Sequence, residues 1–216
     1  MSQNEFIKFV QRADPSEWCE YGNEIKETLD ILWEQKNNYL KLSYDGSRGL
    51  TIKKPSISRS WLLLSSFAIE NLLKSTVIYE HPEYISNGRL SSNLTHHRLT
   101  DLAEDIRSIK FSDEELELIS ELEECLPSWG RYPIPKKVDK LKLDAEIIAS
   151  DDFKEKFDHL FLKLDLHIYE SIKKGWSGPH GYKFRGSLRS MYEDLPEGHE
   201  KMNFEELINW REQNED

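Results

Sequence analysis

Hydrophobic residues recur at helical spacing along most of this chain. From Asp14 to about Leu42, Trp18, Ile25, Leu29, Leu32, Trp33 and Leu40 fall three, four or seven residues apart, a one-sided apolar stripe that predicts a long helix. Asp14-Pro15-Ser16-Glu17 starts it: the aspartate caps, proline suits the first helical position, and Glu17 can reach back to the cap. Asp45-Gly46-Ser47-Arg48-Gly49 breaks it, and Pro55-Ser56 restarts a helix from about Ser56 to Tyr79. This second helix is apolar almost all round, at Trp61, Leu62, Phe67, Leu72, Leu73 and Val77 among others, so it is predicted to be the central and most buried element.

Pro82 and the turn pair Asn87-Gly88 close that region, and a third helix is expected from near Asn93 to Thr95 until about Lys110. Ser112-Asp113-Glu114-Glu115 is a capping box for a fourth, from about Asp113 to Leu126. Pro127, Gly130, Pro133 and Pro135 then impose an extended segment. A last long helix follows from about Asp151 to Lys174, ended by Gly175, Gly178 and Pro179. Asn203-Phe204-Glu205-Glu206 starts a short terminal helix reaching Trp210. No run of β-type alternation is long enough to predict a sheet. The expected fold is all-α, an up-and-down antiparallel helical bundle with a long C-terminal helix and an irregular basic tail. Residues 1–55 would pack as N-terminal helices on a core formed by 56–174, with 175–216 as the basic segment and terminal helix.

At 216 residues the chain can bury one substantial core. Hydrophobic residues make up 38% and charged residues 32%, and no uncharged apolar run approaches the roughly 20 residues that span a bilayer. The first ten residues carry Glu5 and Lys8 and lack the apolar block of an export signal, so a cytoplasmic location is expected. Cys19 and Cys125, far apart in sequence, read as reduced thiols. A net charge of -11 argues against non-specific coating of nucleic acid. One island departs from it. From Ser171 to Tyr192 there is no Asp or Glu, while Lys173, Lys174, Lys183, Arg185 and Arg189 are interleaved with Trp176, Tyr182 and Phe184. The aromatics can stack on bases while the cations meet phosphates of single-stranded RNA. The alternative is that the segment lies across the acidic body or a second subunit, with its aromatics packed.

Candidate chemistry centres on the second and third helices. Glu70 lies on the face of Leu63, Phe67 and Leu73, with Lys74 one turn on. A carboxylate facing a core costs several kcal/mol unless it is compensated, so the two either form a structural ion pair or Glu70 holds a histidine or arginine from the next helix. Of His96 and His97, helical phase places His96 inward with Leu99 and Ala103. Arg89 precedes them in an early loop. In metal-independent RNA cleavage a cation stabilises the phosphorane charge while a histidine moves a proton, and Arg89 with His96 or His97 can supply both. The seven histidines show no metal-ligand spacing, no glycine-rich phosphate loop precedes a helix, and Ser65 and Ser66 sit mid-helix without a nucleophile elbow. No metal or other cofactor is therefore expected.

Ala68, Glu70 and Lys74 on one apolar helix, then His97, Leu99 and Leu102 at the head of the next, then Arg131, Tyr132 and Pro133, resemble in order and spacing the HEPN superfamily over roughly residues 56 to 136. The resemblance implies a four-to-five-helix bundle, usually a homodimer, of the kind found in prokaryotic toxin-antitoxin, abortive-infection and RNA-processing systems. Active members cleave RNA without metal, using an arginine and a histidine four to six residues apart that meet across the dimer. That pair normally opens a late helix, whereas Arg89 lies in an early loop and is followed by Leu90, and Arg185 and Arg189 have no histidine at that spacing. The resemblance favours His97 where helical phase favours His96. The expectation is an RNA-binding or RNA-cleaving protein of phage defence or stress response, with Arg89, His96 or His97 and Glu70 in the site and Lys74 and Arg131 supporting it. A cognate antitoxin or nucleotidyltransferase is a further expected partner. The competing class is a non-catalytic dimeric interaction module, antitoxin-like or a scaffold.

Overall fold

The structure is a computed structural model that describes residues 3–38, 40–45, 49–128 and 149–184. Six α-helices hold most of these residues: α1 Gln3–Arg12, α2 Pro15–Glu34, α3 Ser58–Glu80, α4 Leu99–Asp105, α5 Asp113–Ser128 and α6 Asp151–Lys173. The all-α expectation holds in this coarse sense. Two small antiparallel ribbons accompany the helices: β1 Leu40–Asp45 pairs with β2 Leu50–Pro55, and β3 Trp176–Ser177 pairs with β4 Lys183–Phe184.

Helix α3 is the centre, packed by α2, α4, α5 and α6. It is long and apolar enough to cross a bilayer by length and composition, though Glu70 and Lys74 interrupt its apolar run, and 83% of its most apolar window is buried inside the fold. Its Trp61 ring, 1% exposed, meets Trp33 of α2 at 5.0 Å and Phe157 of α6 at 5.2 Å between ring centroids, which ties three helices at one point. Its hydroxyls are satisfied rather than stranded. Ser65 donates to the Trp61 carbonyl, Ser66 to the carbonyls of Leu62 and Leu122, and Ser75 to that of Pro15 at 2.6 Å, so α2 and α5 are bonded to α3 as well as packed on it. Gly22 of α2 lies so close that an added Cβ would stand 3.2 Å from Leu72 Cδ2.

The caps follow the sequence. Asp14 accepts from the Ser16 and Glu17 amides, Ser112 and Glu115 form the reciprocal box at 3.2 and 2.7 Å, and Ser150 accepts from the Phe153 amide. Both cysteines are free thiols enclosed in the core. Three expectations are corrected. Helix α2 stops at Glu34 instead of running to Leu42, because Leu40, Leu42 and Tyr44 alternate along a strand, and the β1–β2 hairpin stands where no sheet was expected. The third helix is shorter than the range from Asn93 to Lys110, since α4 begins at Leu99 and the backbone is extended again at Ile106. Helix α1 precedes the Asp14 cap, outside the predicted helices. Arg131, Tyr132, Pro133, Arg185, Arg189 and the predicted terminal helix lie outside the described residues.

What shortens α4 at its C-terminal end is a polar knot. The Glu80 carboxylate, at the end of α3, accepts the amides of Arg107 at 2.9 Å and Ser108 at 3.0 Å and the Ser108 hydroxyl; His167 Nε2 of α6 lies 2.8 Å from that hydroxyl. The single hydroxyl proton goes to the carboxylate, so His167 donates from Nε2 and the serine has no base: this is a structural bond set and not a nucleophile. Burial alone would raise the Glu80 carboxyl, but the hydrogen bonds from Ser108 and Arg107 outweigh it and leave it lowered. Burial lowers His167, with Lys174 acting in the same direction.

Both groups sit below their ordinary values, so each contributes stability that is complete above its unfolded pKa and lost as pH falls through the folded one. Melting followed by circular dichroism should therefore show Tm declining as pH drops below about 6.5, and His167→Gln should flatten the part of that decline nearest neutrality. Packing gives a second test. A Cβ on Gly178 would sit 2.6 Å from two atoms of the Trp176 ring and 2.9 Å from Val10, so Gly178→Ala should lower stability in urea by about 1–3 kcal/mol.

Candidate functional site

Helical pitch sets the first part of the site. Glu70 and Lys74 are four residues apart on α3, and Lys74 Nζ donates to Glu70 Oε1 at 2.5 Å. Both are buried, at 4% and 5% exposure, and the ammonium lies 5.4 Å from the centre of the Trp18 ring on α2. The two ions therefore neutralise each other inside the fold. Glu70 also faces a histidine from the segment before α4. His97 Nδ1 lies 3.0 Å from both carboxylate oxygens of Glu70, and its ring meets Phe67 edge-on at 6.5 Å.

His97 reaches Glu70 from the segment before α4, and that segment is pinned on both sides. Leu94 and Leu99 are fully buried, and Glu123 of α5 accepts the Thr100 amide at 2.9 Å and its hydroxyl at 2.7 Å. With Glu70 ionised, Nδ1 carries the proton and donates, which leaves Nε2 on the far side of the ring as a lone pair. The His97 side chain is 58% exposed. An exposed imidazole oriented through Nδ1 by a buried carboxylate can serve as an acid/base group.

The residues do not extend helical phase back to His96, because the helix starts only at Leu99. His96 instead turns to its own backbone: its Nδ1 accepts the Arg98 amide at 3.2 Å, and burial followed by the Arg98 charge lowers its pKa. Arg98, which sequence reading did not single out, stands next to His97 in the chain and pairs with Asp101 at 2.9 Å. Trp18 was read only as a stripe residue. Its signal as part of the site, an aromatic facing an internal lysine, is visible only once α2 and α3 are packed.

Other predicted residues go elsewhere. Arg89 is exposed in the Ser86–Arg89 turn, whose Asn87 and Gly88 both have positive φ, and it lines an open cleft of about 420 Å³ with Glu83, Tyr84, Ser91 and Ser92. No hydrogen bond, ion pair or ring contact joins Arg89 to Glu70, His96 or His97 within the chain. In the basic island Lys173, Lys174 and Lys183 are exposed, with Lys173 3.8 Å from Glu170. The aromatics turn inward: Trp176 is 5% exposed, and the Tyr182 hydroxyl donates to Asp14 at 3.0 Å. Trp176 is thus a core residue rather than an open stacking face, while Tyr182 is half-buried and tethered to the cap of α2. Among the described residues no group of three His, Cys, Asp or Glu is placed to hold a metal ion.

Compared with protein-family models, curated proteins and solved structures, the chain matches none. Glu70→Ala should be the most damaging single change at the site, because it leaves the Lys74 charge buried and unpaired. A loss of about 3–5 kcal/mol in denaturant unfolding is expected, against a much smaller loss for His97→Ala.

Proposed function

We propose that this chain is a HEPN-like protein of the cytoplasm that acts on RNA as a dimer, in phage defence or stress response, with His97 as the acid/base of metal-independent phosphodiester cleavage. The single observation behind this reading is the His97 imidazole seated through Nδ1 on both oxygens of buried Glu70, with its side chain 58% exposed. An acid/base group set on an open surface suits a polymer, whose phosphates can be brought to the imidazole, better than a small substrate that needs enclosure. Lys74 cancels the Glu70 charge, so the carboxylate orients the ring without adding net negative charge where a phosphate would approach. The cation beside the phosphate is Arg98, the next residue along. Arg89 lines a different cleft and acts only if a second subunit brings it across.

A second reading has its own observation. Because Lys74 already neutralises Glu70 and Trp18 covers the ammonium, the cluster is also complete as a structural device, as in a non-catalytic dimeric interaction module. The two separate on one assay. Under the enzymatic reading the purified protein cuts labelled RNA in excess EDTA and leaves cyclic phosphate ends. His97→Ala should then lower the rate about 10²–10⁴-fold, and His96→Ala should lower it far less. Cleavage unchanged in His97→Ala, or no cleavage by the unmodified chain, defeats the enzymatic reading and leaves the interaction module.

A further inference from the structure

Helix α4 is seven residues long, and a helix so short does not set its own limits, because nucleation outweighs the few bonds that follow. Its N-cap, Arg98, has the extended backbone of a capping residue but supplies no side-chain bond to the first turn. The cap comes from another helix. Glu123 Oε2 on α5 accepts the Thr100 amide at 2.9 Å and the Thr100 hydroxyl at 2.7 Å. That amide is among those a helix start leaves without an internal partner, and a carboxylate there also meets the positive end of the helix dipole. Were α4 to begin one turn earlier, the same amide would donate to the His96 carbonyl. Its bond to Glu123 closes off that extension and keeps residues 96–98 out of the helix.

We infer that Glu123 is a positioning residue for His97: a cap reached across from α5 that makes α4 begin at Leu99 and so presents His97, rather than His96, to Glu70. A helix continued back to residue 96 would carry His96 on the inward face of Leu99 and Ala103. The extended backbone instead delivers the His97 ring to both Glu70 oxygens. Glu123 can set this choice because its own place relative to Glu70 is fixed. The adjoining carbonyl, that of Leu122, accepts from Ser66 Oγ at 2.8 Å, and Ser66 lies one helical turn before Glu70 on α3. Contacts thus run in a closed circuit from Glu70 through Ser66, Leu122, Glu123 and Thr100 to His97 and back. The inference rests on the proposed function for what the imidazole does, but not for where the imidazole sits.

The test reads the His97 ring itself, by long-range proton–nitrogen correlation spectra of the full chain, isotope-labelled, at about pH 8, where the imidazoles are neutral. His97 is assigned by the signal lost in His97→Gln. In the parent, Nδ1 should show the shift of a protonated ring nitrogen and Nε2 that of a bare one. Glu123→Ala should move the ring toward the Nε2–H form that a free imidazole prefers. Glu123→Gln, whose amide oxygen still accepts the Thr100 N–H, should leave the ring nearly as it is in the parent. Arg98→Ser supplies a local cap, so it should restore the Nδ1–H signature to the Glu123→Ala protein, a rescue that a mere loss of packing would not give. An Nδ1–H signature that survives Glu123→Ala overturns the inference, as does its absence from the parent. So does a Glu123→Ala protein that stays unfolded, or keeps the altered ring, when Arg98→Ser is added. A ring that responds to Glu123 in this way, together with no RNA cleavage by the unmodified chain, defeats only the catalytic reading.

Discussion

Placing Glu70 and Lys74 inside the fold costs several kcal/mol for each ion, and everything around them answers that cost. One turn of helix brings the ammonium to the carboxylate, so the compensation is built into α3 and survives small shifts of its neighbours. What remains is one carboxylate with capacity for a further donor and one ammonium with capacity for a π-face. His97 supplies the first and Trp18 the second. The pair thus recruits α2 on one side and the segment before α4 on the other. The candidate site is the solvent-facing edge of an arrangement that the core requires.

The same economy runs along the rest of α3. A helix with apolar residues on every side has to be enclosed, and the serines among them need acceptors. Ser66 finds the Leu122 carbonyl on α5 and Ser75 finds Pro15 on α2. These bonds set the depth at which the neighbours sit, while Gly22 lets α2 approach where a larger residue would press on Leu72. Trp61 then fixes the position of α6 through Phe157.

What sequence revealed and what it hid follow from the range of the interactions involved. Caps are local, so Asp14 and Ser112 with Glu115 were readable from a few residues each; the Ser150 cap of α6 is equally local but was not singled out. Helix α4 was not, because its limits are set from a distance: Glu123 of α5 takes the Thr100 amide near its start, and Glu80 of α3 takes the amides just past its end. The hairpin was hidden by a coincidence of spacing. Leu40 lies seven residues after Trp33, which prolongs a helical stripe on paper, although Leu40, Leu42 and Tyr44 already alternate as a strand does. The histidines show the same error at smaller scale. Extending the phase of α4 back to residue 96 favoured His96, but that backbone is not helical, and the ring that meets Glu70 belongs to His97.

The two cysteines carry a practical consequence. Cys19 is enclosed with its thiol donating to Asp165 at 3.2 Å, and burial pushes it well above the ordinary thiol range; burial likewise pushes Cys125 up to about 12. Thiolate is the reactive form, so neither sulfur competes for an electrophile while the fold is closed. A cysteine introduced at an exposed position of the β1–β2 ribbon or beside the imidazole would be the one fast-reacting thiol of the chain. Maleimide dyes and spin labels can then report distances between those places without first removing the native sulfurs, and slow labelling of Cys19 would time the opening of the core itself.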